Sequence, residues 1–328
     1  MKITLLFVTM FTGFLVFSQT DSEKLRDDLK KLDAVHDSLL PKKYWKYTSL
    51  FGLSASQTAF VNWAAGGRNN IAVLGFIDFT ATYEKRHFKW TNDVKLALGG
   101  MYYSDSVGKK QGLQKTDDRI DLASSVGYEF KKSWFLTAIG GFRTQFLNGY
   151  NFPNDSVPIS TFMAPGYVNF SLGIEYAPVD YFSVYLSPIA SKMTFVRDQR
   201  LADAGAFGIQ AAKFDGSGNL IKHGLRFRNE IGAYFRIRFQ KEIFKNIEMK
   251  TRLELFSNYA HNPQNVDVNF ENIFTFKVNK WFQASLQWNL IYDDDIKILD
   301  SKGRTGPRTQ FKSVLGLGIS YTLTNAKK

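Results

Sequence analysis

Charged residues recurring at every second position are the main chemistry this chain offers. Arg226, Arg228, Glu230, Arg236 and Arg238 form one such set, and Glu248, Lys250, Arg252 and Glu254 form the next. In an extended chain successive side chains point to opposite faces, so each set shares one face of a strand. Opposite charges on neighbouring strands can join into an ion-pair network that fills space, because a lone charge in a narrow interior is costly. The same residues admit a second chemistry, in which Arg226, Arg228, Arg236, Arg238, Lys250 and Arg252 form a basic constriction favouring anionic solutes. Both readings stay open at this point, with space filling preferred. Asp78, Asp93, Lys95, Arg119, Asp121, Glu129, Arg143 and Glu175 fall at inward positions by the same alternation.

Nothing in the chain reads as catalytic machinery. The four histidines, His36, His87, His223 and His261, stand at no spacing that would pair them on a metal, and there is no cysteine to assist them. No Gly-x-Ser-x-Gly elbow occurs, so no serine nucleophile can be named. Asn62-Trp63-Ala64-Ala65-Gly66-Gly67 has a glycine pair suited to a tight loop but lacks the Gly-Lys-Ser/Thr of a phosphate loop. Asp117-Asp118 and Asp293-Asp294-Asp295, with Asp203 and Asp215, lack the spacing of a calcium loop and read as solvated loop ends. The chain is therefore expected to be a non-enzyme with no cofactor and no metal.

The elements that must position these charges are strands. Twelve alternating segments are predicted at residues 49–60, 70–84, 88–103, 117–130, 133–149, 165–176, 180–196, 223–239, 247–258, 266–278, 281–292 and 308–324. In the eighth, Leu225, Phe227, Ile231, Ala233, Phe235, Ile237 and Phe239 oppose the charged face, with Asn229 as the one polar residue among them. Connections alternate between short and long around the chain. Apolar-out, polar-in strands with that rhythm predict an all-β fold, a twelve-stranded antiparallel transmembrane β-barrel, with short turns periplasmic and long loops outside. An even strand number returns both termini to the periplasm. Aromatics make up 16% of the residues, and the tryptophans gather near predicted strand ends, as a membrane-interface belt requires.

Residues 1–19 carry Lys2, the apolar run at 3–17 and a cleavage region at Val16-Phe17-Ser18 before Gln19, the pattern of an export signal. Residues 20–48 are expected to form a periplasmic extension with a short amphipathic helix, whose Leu25, Leu29, Leu32 and Leu39 stripe offers a partner-facing surface. The barrel is assigned to 49–324 and a periplasmic tail to 325–328. A formal charge of +12 would raise nucleic-acid binding in a soluble protein. Here the basic residues sit on inward faces and in turns, with no recognition helix, so outer-membrane lipids are the expected contact and nucleic acid is not. An envelope protein complex is the expected partner, and small solutes are expected only if the lumen is open.

At Asn62–Gly67, followed by the alternating segment at 70–83, the chain resembles the DUF3078 family of uncharacterised exported proteins, found mainly in Bacteroidota. The resemblance spans roughly residues 43–324, with Asn62, Trp63, Gly66 and Gly67 in its most specific portion. It implies an outer-membrane barrel accessory to an envelope complex, and it carries over no catalytic residue.

Overall fold

The computed structural model describes residue 30 and residues 44–58, 69–104, 113–299 and 304–325. The expected helix with Leu25, Leu29, Leu32 and Leu39, the export signal and the Asn62, Trp63, Gly66, Gly67 motif all lie outside the described residues. The compact unit that carries the strands begins at Trp45.

Twelve strands close into one barrel: β1 (Trp45–Thr58), β2 (Asn69–Lys85), β3 (Phe88–Ser104), β4 (Gln114–Lys131), β5 (Trp134–Thr144), β6 (Gly166–Val179), β7 (Phe182–Phe195), β8 (Phe227–Phe244), β9 (Ile247–Asn258), β10 (Val266–Lys277), β11 (Phe282–Tyr292) and β12 (Gln310–Thr324). Each pairs antiparallel with its sequence neighbours, and β12 returns to β1. The strand number and order are those expected. The first strand starts four residues earlier than predicted, at Trp45, and β8 runs on to Phe244 where a seven-residue turn was expected.

Side-chain direction follows the alternation. Phe51, Leu53, Ile71, Val73, Leu186, Ile189, Phe227, Ile231, Leu317 and Ile319 are all exposed on the outer wall. Exposed apolar residues on so many strands suit hydrocarbon and not water, and a closed ladder leaves almost no unpaired backbone facing that hydrocarbon. Trp45 stacks near Tyr83 and Trp90 (5.3 and 5.6 Å), Trp134 near Tyr176 (4.7 Å) and Trp281 on Tyr321 (5.4 Å), forming an aromatic rim at the short-turn end. Trp288 departs from that pattern and packs mid-strand against Phe274 at 5.9 Å. Both described ends of the barrel chain meet at this rim, where Asn325 accepts from the Tyr47 amide at 2.7 Å and donates to the Trp45 carbonyl at 3.0 Å.

One irregularity resets the pattern. Between β7 and β8 the register moves from Gly232↔Ala190 to Tyr234↔Ser187, so Pro188 and Ile189 form a bulge. Proline cannot donate to a ladder and is tolerated at such a site. The neighbouring backbone comes close there: a Cβ on Gly232 would lie 1.9 Å from the Ser257 carbonyl oxygen. The long connections are themselves folded. Residues 196–226 carry a short helix (Gln199–Asp203) and a hairpin (Lys213–Phe214 with Leu220–Lys222), and Leu201, Ala202 and Ile209 bury against Ala164 and Val196.

Leu253 points outward midway along β9, between Ile237 and Phe270 on the adjacent strands. Leu253→Arg is expected to destabilise the barrel by about 2–4 kcal/mol, the cost of a cation near the bilayer midplane. Urea titration of the protein folded into lipid vesicles measures it.

Candidate functional site

The polar faces of the strands meet inside the barrel around one carboxylate. Glu271, on β10, is 2% exposed and lies 3.0 Å from Arg119, 3.2 Å from Lys95 and 3.4 Å from Arg252. Arg119 is on β4, six places from β10 around the ring of twelve, so this ion pair joins opposite walls. Lys95, on β3, reaches across from almost as far. Arg252 then turns to Asp121 (3.6 Å) and Glu254 (3.9 Å), and Asp121 also accepts from Arg143 at 3.1 Å. Tyr234 and Asn269 both donate to Glu254, at 2.9 and 2.7 Å. On the adjoining wall Arg236 pairs with Glu175 (3.4 Å) and lies over the Tyr185 ring, which is fully buried.

These contacts cross the lumen at its waist. A cleft of about 430 Å³ lies on the long-loop side, with Arg119, Arg143, Arg252 and Glu271 at its base and Asp117, Gln310 and Lys312 around it. A smaller one of about 220 Å³ lies at the short-turn end, lined by Lys46, Glu84, Lys89 and Asp180. A buried carboxylate and its cations stabilise one another best where further hydrogen bonds satisfy their remaining groups; Tyr234 and Asn269 do this for Glu254, whereas the buried Nε–H groups of Arg119, Arg143, Arg236 and Arg252 have no acceptor among the described residues. The arrangement is a fixed polar plug.

The structure distributes the predicted charge set unevenly. Arg236, Arg252 and Glu254 stand in the waist, and Arg238 and Lys250 are beside it with no direct ion pair among the described residues. Glu248 sits toward the short-turn end, held by Gln240 (2.8 Å) and Lys277 (3.2 Å). Arg228 and Glu230 pair with each other at 2.8 Å near the long-loop end. Arg226 precedes β8, is exposed, and joins no ion pair among the described residues. The strand that would have carried it inward starts one residue later.

The loop carboxylates hold loops. Arg228 binds Asp295 and donates to the Gly208 carbonyl at 2.7 Å, tying two long connections to β8. Asp118 accepts from the Phe146 and Leu147 amides at 2.7 and 2.8 Å, and Asp117 pairs with Lys312 at 3.2 Å. Asp267, Asp293 and Asp294 lie within 4.8 Å of one another, and the Lys192 ammonium sits against two of them, at 2.6 and 2.8 Å. Asp203 accepts from the Gly224 amide (2.8 Å), Gln199 (2.8 Å) and His223 (3.0 Å). The hydrogen bonds from Gln199 and His223, with that of the amide, hold its carboxyl below the usual carboxylate range.

Two central residues escaped the sequence reading. Glu271 alternates with Phe270 and Phe274 just as the named charges alternate with their neighbours, so that signal was present. Lys192 was hidden: counting in twos from the inward Tyr185 places it outside, and the bulge at Pro188 moves it inside. A proline within an alternating run is the cue that the phase can change.

Among known proteins, residues 55–150 match the family described as a protein of unknown function (DUF3078). No curated protein matches the chain. Similar solved structures include the COG4313 outer membrane channel from Pseudomonas putida F1, 13% identical over 87% of this chain and 97% of that one, with a TM-score of 0.38. The NanC porin is 8% identical over 84% and 100%, with a TM-score of 0.34. The translocator domain of the autotransporter NalP from Neisseria meningitidis is 11% identical over 92% and 97%, with a TM-score of 0.34.

Glu271→Gln removes the negative charge facing three cations and is expected to cost about 3–5 kcal/mol, as when one member of a buried pair is lost; unfolding in vesicles measures it. Asp203 has a carboxyl pKa lowered by folding, so its clamp contributes above the unfolded carboxylate pKa and is lost as pH falls through the lower folded value. Protease cleavage at the hairpin around Phe214 is therefore expected to rise only below the usual carboxylate range in the native chain, and to be high already at neutral pH in Asp203→Ala.

Proposed function

We propose that this chain is a non-enzymatic barrel of the outer membrane that supports or associates with an envelope complex. The observation that carries the proposal is the ion pair from Glu271 to Arg119 across the full ring, reinforced by Lys95 and Arg252. A wall-to-wall plug of buried charge opposes free diffusion through the waist, so bulk permeation is a poor fit to this interior. With short turns on the periplasmic side, both ends of the barrel would face the periplasm, and the leucine stripe of Leu25, Leu29, Leu32 and Leu39 would be the docking surface offered there.

A second reading, a passive channel for small anionic solutes, is favoured by one feature. Arg238 and Lys250 lie beside the waist without a direct carboxylate partner among the described residues, which leaves a basic excess along that wall.

Planar-bilayer recording separates the two. The native protein is expected to show no steady conductance, and mild-detergent purification is expected to recover a reproducible periplasmic partner that is lost when the leucine stripe is made polar. A stable, anion-selective current from the native barrel, reduced in Arg238→Gln, would establish the channel instead.

A further inference from the structure

The hairpin in the connection from β7 to β8 is bare on both sides. Every residue from Lys213 to His223 is exposed, and the connections that flank it around the ring, residues 145–165 and 259–265, do not cover it. Lys213 pairs with Lys222 and Phe214 with Leu220, and Ile221 is an extra residue between those two pairs. Residues directly opposite in an antiparallel ladder share a face, and successive residues change face. Lys213 and Lys222 therefore lie on one side and Phe214 and Leu220 on the other. Phe214 is 56% exposed and Ile221 67%, so this small amphipathic element leaves its large apolar groups unburied.

The carboxylates of this segment are engaged in its own backbone. Asp215 accepts from the amides of Ser217 and Asn219 at 2.9 and 2.8 Å and from the Asn219 side chain at 3.1 Å, which closes the turn. Asp203 holds the root through the Gly224 amide and His223. Lys213, Lys222 and Arg226 join no ion pair among the described residues, so the exposed surface is basic. The root also adjoins the lipid-facing wall. There the Leu225 amide donates to the Gln210 carbonyl at 2.9 Å, and Leu225 and Phe227, both exposed, carry the apolar surface down onto β8.

We infer that the hairpin at 213–222 docks on the head-group layer of the leaflet at the long-loop end and prefers lipids with acidic head groups. Phe214, Leu220 and Ile221 enter the boundary with the acyl chains, while Lys213, Lys222 and Arg226 stay in the head-group layer against its phosphates. Charge and apolar surface together match a lipid boundary, whereas an acidic soluble partner would meet only the cations. The barrel wall beneath already stands in lipid, so the tethered hairpin meets that surface at high effective concentration and needs only weak contacts. Each lysine is expected to favour the docked state on an acidic surface by about fivefold. This contact goes beyond the supporting role above and does not depend on it.

The test uses the full chain in phosphatidylcholine vesicles made with or without phosphatidylglycerol. The chain has no cysteine, so Ser217→Cys places a single environment-sensitive dye at the tip of the hairpin and leaves its lysines and apolar residues in place. Quenching of the dye by a lipid with a nitroxide on its head group is expected to be about threefold stronger, or more, with phosphatidylglycerol than without it. Lys213→Gln with Lys222→Gln is expected to remove that difference. Phe214→Ser with Leu220→Ser is expected to leave the dye in water in both kinds of vesicle. Both pairs lie outside the barrel ladder, and the gel mobility of unheated protein verifies that the barrel has folded. A dye that stays in water in the acidic vesicles would overturn the docking and leave the hairpin to a soluble partner. Equal quenching in the two kinds of vesicle, unchanged by the lysine pair, would overturn the acidic head group, and unchanged quenching in Phe214→Ser with Leu220→Ser would overturn the apolar contact. Bilayer current and partner recovery report separately on the supporting role.

Discussion

The interior is organised by the need to compensate one buried carboxylate. Glu271 has lost almost all contact with solvent, and a carboxylate in that position persists only if cations and donors replace its hydration. Lys95, Arg119 and Arg252 do so, with a further hydrogen bond donated by Gln287, and Arg252 reaches on to Asp121 and Glu254. The network therefore propagates from one residue until it fills the waist. Because Arg119 and Glu271 stand on opposite walls, the same interaction that satisfies the charge also braces the ring.

A different constraint governs the outside. Hydrocarbon offers no hydrogen bonds, so the wall must satisfy its own backbone and present apolar side chains. Eleven of the twelve seams meet that demand over most of their length, and the seam between the first and last strands meets it only toward the short-turn rim. There Asn325 and Thr324 reinforce the closure with side-chain bonds to the Tyr47 and Trp45 backbone.

The long connections are held to the barrel by carboxylates. Asp118 gathers two amides of the loop after β5, Asp295 reaches Arg228, and Asp293 shares Lys192 with Asp267. Asp118, Asp293 and Asp295 look like solvated loop ends in a linear reading, since each adjoins another aspartate. Their partners are distant in sequence, and only folding supplies them.

Local alternation determined much of this protein. Side chains of an extended chain change face at every residue whatever the rest of the molecule does, so twelve segments, their apolar outer faces and most of their inward charges were legible from residues such as Phe227, Arg236 and Arg252. The phase of that alternation was legible only where no bulge intervened, which is why Lys192 escaped and why Arg226, one residue ahead of its strand, was placed too far inward. Tertiary structure alone decided which charges meet. Ring closure brings β4 and β10 face to face, with Arg119 and Glu271 152 residues apart in the chain, and no local periodicity encodes that encounter. It also decided where the wall stays unzipped, because the depth of the last seam depends on how the first and last strands approach after all the others have paired.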